Sequence, residues 1–232
     1  MNIENIKKTL RISFALAFSS FKVRNQRSYL GIFWHLLDPI IFFFILMSLK
    51  SVFVKSDFEL YPLYLITGLV TVNLFRRTTS QASSSFNGKI GYIQSINFPK
   101  ISLVLEKMFV MFFSHIFELL IVIGFMIFFS IPLWHLFLYI PFLVVYLIFI
   151  FGISQILSIV GVYIPDIKNV WGVFTRMIWL ATPIFYVVPK FHFLSVYNPM
   201  AYFVRVSRDT LMEGILFSCL LYTSPSPRDS CA

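Results

Sequence analysis

Charge is scarce in this chain, and cysteine is absent from all but its last stretch. Only 12% of the 232 residues are charged, against about 25% in soluble domains, which excludes an ordinary water-soluble domain. No cysteine precedes Cys219, so disulfide frameworks, cysteine zinc sites and thiol chemistry are excluded from the body of the protein. No GxxxxGK(S/T) occurs. The nearest fragment, Asn87-Gly88-Lys89, lacks the leading glycine and the hydroxyl residue that would cradle phosphates and hold magnesium. HExxH, GxSxG and Cys/His clusters are also missing, so no constellation supports catalysis and no metal site is expected. No basic n-region, apolar h-region and small-residue cleavage site opens the chain, so no removable signal peptide is read.

What is present is apolar. Hydrophobic residues make up 58% of the chain and phenylalanine alone occurs 29 times; such a core needs a bilayer as solvent. The net charge of +9 does not point to nucleic acid, because the basic residues sit between apolar runs and not on one polar face. Five segments are long enough to span: 36–54, 60–75 (with a continuation past Arg76), 101–129, 136–162 and 170–188. The fold class is therefore all-α and polytopic. The stretch 189–214, broken by Asn198-Pro199 and carrying Arg205, Arg208, Asp209 and Glu213, reads as an extramembrane or re-entrant loop. A cytoplasmic N-terminus places 13 Lys and Arg on the cytoplasmic side and 5 on the other, which favours that orientation.

Residues 1–30 read as a cytoplasmic amphipathic interface segment. Leu10, Phe14, Ala17, Phe18 and Phe21 share one helical face, and Lys7, Arg11 and Lys22 flank it, as in a helix lying in the headgroup region. An ordinary basic flank that only sets topology fits the same residues. In the third span Glu118 follows His115 by one turn. A carboxylate at that depth faces protein, water or a pathway; it serves either a proton relay or an interhelical hydrogen bond.

The loops are punctuated in a particular order. RSYLGIFWHLLDP (27–39) sets a glycine, an interfacial tryptophan and an early-turn proline before the first span. NFPK (97–100) precedes the third span, PDIKNVW (165–171) separates the fourth from the fifth, and TPIFY (182–186) and NPMAYFVRVSRD (198–209) follow. Together these resemble the membrane-spanning subunit of ABC-2 type exporters, in the branch that exports polysaccharides such as O-antigen, capsule or teichoic acid. The matching positions are Leu30, Gly31, Trp34 and Pro39; Phe98 and Pro99; Asp166, Val170 and Trp171; Pro183 and Tyr186; and Asn198, Pro199, Arg208 and Asp209. The chain departs from the family at Val70-Thr71-Val72-Asn73, where a Pro-Trp pair is usual, at Pro165 and at Leu103.

The resemblance implies a homodimer around a pathway for a polysaccharide or lipid-linked glycan, with membrane lipid around it and no nucleic acid. It implies a separate ABC ATPase that carries the ATP and magnesium, and no cofactor in this chain. Runner-up readings are an ABC-2 exporter of drugs or lipids and, outside the family, a proton-coupled transporter using Glu118. Coupling candidates for the ATPase are Arg24 and Arg27 at the end of the first helix, and Asn87, Gly88, Lys89 and Tyr92 in the loop 87–95; a passive solvated loop is the alternative there. With aromatics at 19%, a pathway lined by rings could let sugar faces slide. Most phenylalanines read as lipid-packing, and Tyr186, Tyr197, Tyr202 and Glu118 are the pathway candidates. The family has six spans, and 31–218 is expected to be its transmembrane domain cut short of the sixth. CLLYTSPSPRD (219–229) matches a translated transposase sequencing adapter, so 219–232 is read as an artefactual tail.

Overall fold

The computed structural model describes residues 3–26, 31, 33–50, 59–86, 99–185 and 197–215. Among them are seven α-helices and no strand, as the all-α class requires: α1 Ile3–Gln26, α2 Phe33–Ser48, α3 Tyr61–Ala82, α4 Ile101–Phe128, α5 His135–Tyr163, α6 Ile167–Ala181 and α7 Pro199–Arg208, which runs into a π-helical turn, Asp209–Glu213. Helices α4 and α5, of 28 and 29 residues, are long and apolar enough to cross a membrane; at 1.5 Å per residue each is about 42 Å long. Helix α2 is as apolar but has 16 residues; the end of its expected span, 51–54, lies outside the described residues.

Helix α3 is the centre of the bundle and packs against α2, α4, α5, α6 and α7. Its residues 65–75 are buried without a break, although three of them, Thr67, Thr71 and Asn73, are polar. The hydroxyls meet this burial by bonding backward along the helix: Thr67 donates to Leu63 O at 2.5 Å and Thr79 to Phe75 O at 2.8 Å. Others reach across it: Thr71 bonds Ser207 at 2.9 Å, and Tyr146 donates to Thr71 O at 2.8 Å. Helix α5 is the opposite case. It is the most hydropathic helix, yet Phe137, Ile140, Val144, Ile148, Ile156 and Ile159 stand exposed along it.

Helix α1 lies along α4. Its buried seam is made of small residues, Ser13 and Ala17, and Ser20 donates to Glu106 Oε1 at 2.7 Å. Small side chains permit close helix approach without a large apolar driving force. The expected single apolar face is thereby divided. Ala17 is buried and Phe21 packs on Phe113, Phe117 and His35, while Leu10 and Phe18 remain exposed.

Two boundaries differ from the sequence reading. Within the fifth expected span, 170–188, the described residues are helical to Ala181, the end of the 15-residue α6, and not at 182–185; 186–188 lie outside the described residues. Thr182 takes an extended conformation (φ −85°, ψ 133°), as the residue before Pro183 must to avoid the proline ring. The segment 189–214 is not simply a loop: α7 folds back into the bundle with Met200, Val204, Val206 and Ser207 buried. Its alternation of apolar and polar residues has helical period, which the Asn-Pro breaker and the charges obscured.

Candidate functional site

Two arginine-centred sites sit at opposite ends of α3. At its N-terminal end, α7 starts with Asn198 as cap: the side chain accepts from Met200 N at 3.0 Å, and Pro199 occupies the first turn, where its missing N–H costs nothing. The cap's amide also donates to Thr182 Oγ1 at 2.8 Å, so α7 is fastened to the segment that follows α6. Ten residues on, Arg208 is 6% exposed. Its Nε donates to Tyr64 O at 3.0 Å, and its two terminal nitrogens to Pro183 O and Ile184 O, both at 2.8 Å. The guanidinium lies 3.4 Å from the centre of the Tyr64 ring, within cation–π range.

Gly68 makes room for that arginine, since a Cβ there would stand 2.5 Å from an Arg208 nitrogen. Tyr61 closes the same region by donating to Phe185 O at 2.8 Å. Carbonyls left free where α6 stops thus find their donors on α7 and α3. Pro183, Asn198, Pro199 and Arg208, separate motifs in sequence, form one hub.

At the other end of α3, the C-terminus of α1, the start of α2 and the middle of α6 surround an open cleft of about 660 Å³. Gly31, two residues before α2, has φ +44°, a left-handed conformation that favours glycine. Four guanidiniums line the cleft: Arg24, Arg76, Arg77 and Arg176. Arg77 pairs with Asp38 and donates to Glu118 Oε1 at 2.6 Å. Glu118 is 2% exposed; its second oxygen lies 3.6 Å from His115 Nδ1, longer than a hydrogen bond, and His115 Nε2 meets the Tyr139 hydroxyl at 3.2 Å. This polar chain joins α2, α3, α4 and α5. Trp171 adds α6 by donating to Thr79 Oγ1 at 2.9 Å. Arg24, outside the spans, is held below the usual guanidinium range by desolvation and then by Arg77.

The residues singled out in the sequence divide between these ends. Arg24, Gly31 and Trp34 line the cleft. Pro39 is buried beyond the first turn of α2, inside the helix and not in its early turn; proline there frees the carbonyl four residues back. Pro99 precedes α4, and Asp166 is exposed at the start of α6 without a side-chain cap. Asp209 opens the π turn, 3.8 Å from Arg205. Tyr197 is 74% exposed and Tyr202 37%. Arg27, Asn87, Gly88, Lys89, Tyr92, Phe98 and Tyr186, and the tail 219–232, lie outside the described residues. Sequence reasoning passed over Asp38, Arg77 and His35. The available signal was Glu118 itself, since a carboxylate in an apolar helix calls for a cation on a neighbour.

No family model matches the chain. It is similar to the O-antigen export system permease protein RfbA of Klebsiella pneumoniae, 26% identical over 205 residues that cover 84% of this chain and 78% of that protein. A protein of the same name from Myxococcus xanthus is 21% identical over 174 residues, 74% of this chain and 66% of the other. The resemblance to ABC-2 type permeases of the polysaccharide-export branch, first read from the loop motifs, is borne out by these relatives.

Proposed function

We propose that this chain is the membrane-spanning permease subunit of an ATP-driven exporter of a cell-surface polysaccharide or its lipid-linked form, in a bacterial inner membrane. The observation that carries the reading is the likeness to O-antigen export permeases over 84% of the chain. In this reading the chain acts as a homodimer beside a separate ABC ATPase, and α2 to α6 supply five spans with the N-terminus cytoplasmic. Helix α1 lies at the cytoplasmic surface. Its exposed Leu10, Phe14 and Phe18 recur every four residues beside Lys7, Arg11 and Lys22, which suits an interface helix that transmits ATPase closure to α4. Arg24 and the loop 87–95 are the coupling contacts, and Tyr197 and Tyr202 border the glycan's exit.

A proton-coupled transporter is the second reading, favoured by the buried His115 and Glu118 pair. Against it, the Glu118 carboxylate is already engaged by Arg77, so a relay would have to break that pair in every cycle. Co-expression with the ATPase encoded beside the gene tests the proposal. The expected outcome is a stable complex and vanadate-sensitive ATP hydrolysis stimulated by the permease; absence of both association and stimulation overturns it.

A further inference from the structure

The polar chain that begins at Arg77 does not stop in the middle of the bundle. Arg77 holds one oxygen of Glu118, and His115 stands between the other oxygen and the Tyr139 hydroxyl. On its far side that hydroxyl bonds the hydroxyls of Ser207 and Thr71, which lie 2.9 Å from each other. Ser207 belongs to α7 and precedes Arg208, whose guanidinium binds Tyr64 O. Glu118, His115, Tyr139, Thr71 and Ser207 are all buried. Along α3 the chain runs from Arg77 to the level of Tyr64, about 20 Å at 1.5 Å per residue. One contact in it is open. Glu118 Oε2 and His115 Nδ1 are 3.6 Å apart, and Nδ1 is buried without a hydrogen-bond partner. An unmet buried nitrogen is costly, and a small turn of the Glu118 carboxyl would meet it. Arg77, on the first oxygen, holds that carboxyl where it is.

We propose that Tyr139 is a positioning residue for export: through His115 on one side and Ser207 on the other, it makes the setting of Glu118 and the seating of α7 a single equilibrium. The export role rests on the permease reading above, whereas the linkage between the two ends of α3 does not. Glu118 has two arrangements, one held by Arg77 and one shared with His115. When Arg77 releases the carboxyl, the imidazole follows it, and the Tyr139 hydroxyl must give up a bond either to His115 or to Ser207. No water is at hand to replace the lost bond, so the cost falls on the next member of the chain. Tyr146 supplies the contrast on the same helix. Both tyrosine rings pack on Phe142 and both are buried, but the Tyr146 hydroxyl ends on a backbone carbonyl, Thr71 O at 2.8 Å. Its bond stabilises the bundle and leads nowhere.

The test uses the full chain in phosphatidylcholine nanodiscs, with amide hydrogen exchange of α7 read by mass spectrometry. Glu118→Gln weakens the hold of Arg77, and exchange in α7 should rise by about fivefold or more, the low end of coupling between distant sites. In a Tyr139→Phe background the same substitution should add nothing further to α7 exchange. In a Tyr146→Phe background its effect should persist, so a general loosening of the bundle is told apart from a linkage through Tyr139. With the partner ATPase present, Tyr139→Phe should leave stimulated ATP hydrolysis within about twofold and lower glycan exported per ATP by about fivefold or more. Tyr146→Phe should leave that ratio unchanged.

Exchange in α7 that ignores Glu118→Gln, or that responds equally in all three backgrounds, overturns the linkage. An equal fall of export per ATP in the two tyrosine variants makes Tyr139 a packing residue only and overturns its positioning role. A complex that hydrolyses ATP and exports glycan while α7 ignores Glu118 loses the linkage and keeps the permease reading. A chain whose α7 answers to Glu118 through Tyr139 but that joins no ATPase keeps the linkage and loses that reading.

Discussion

Arg208 and the arginines of the cleft are the same side chain in opposite settings. Arg208 is sealed at one end of α3, its planar fork matched to three backbone carbonyls and one ring. Around the other end, four arginines line an open cleft, and among the described residues only Arg77 pairs with carboxylates, Asp38 and Glu118. Where donors and acceptors balance, an arginine is a structural rivet. At the cleft, three of the four arginines have no carboxylate partner among the described residues and line open space. Burial alone would not have separated the two, because both ends hold deeply buried polar groups; the count of acceptors does.

The comparison can be broken at either end. Arg208→Ala leaves the buried carbonyls of Pro183 and Ile184 without this donor, takes a second bond from Tyr64 O, and should cost about 3–5 kcal/mol, the largest effect expected here. Thermal unfolding in detergent measures it, and Arg208→Lys should recover little, because one ammonium cannot serve three acceptors set by a planar fork. A full rescue by lysine would show that charge, and not geometry, holds the hub. Next, Glu118→Gln weakens the pair with Arg77 and should lower stability by about 3 kcal/mol. If export with the partner ATPase survives at normal rate in cells that still hold the variant, a proton relay through Glu118 is excluded.

Gly68→Ala drives a methyl group against the Arg208 guanidinium and should cost about 1–3 kcal/mol by overpacking. Combined with Arg208→Ala, that penalty should largely vanish, a non-additivity that a double-mutant cycle reads directly. A smaller effect is expected for Tyr61→Phe, which removes one hydrogen bond to Phe185 O, about 1 kcal/mol. At the cleft, by contrast, Arg176→Lys should leave the unfolding midpoint where it is, since Arg176 is exposed and surface charges contribute little to stability.

How much of this was legible can be read from α3 and α5. Both are expected as spans from their apolar lengths, and both are helices: α5 ends within one residue of the expected 136–162, while α3 takes the continuation past Arg76 as far as Ala82. Their positions were not legible. Helix α5, the more hydropathic, is peripheral, and α3, with its threonines and Asn73, is central. In a bilayer, hydropathy reports contact with lipid as readily as contact with protein, so only the small and polar residues mark the interior. The short α6 was overextended because apolar residues continue past Thr182-Pro183, while the backbone constraint before proline ends the helix. The stretch that holds α7 reads as an extramembrane or re-entrant loop because its charges mask a buried helical face.

From sequence alone came the helical class, through apolar runs of span length, and the likeness to polysaccharide-export permeases, through loop motifs whose order survives at low identity. Tertiary structure decided which charges meet. Arg208 reaches Tyr64, 144 residues away, and Arg77 reaches Glu118, 41 away, and no local pattern encodes such pairings. They arise because a buried donor with no water to bind must take the nearest acceptor that packing brings to it. The motifs at 182–185 and 198–209 were visible as punctuation; only the folded chain turned them into one hub and gathered four arginines around a cleft at the other end of α3.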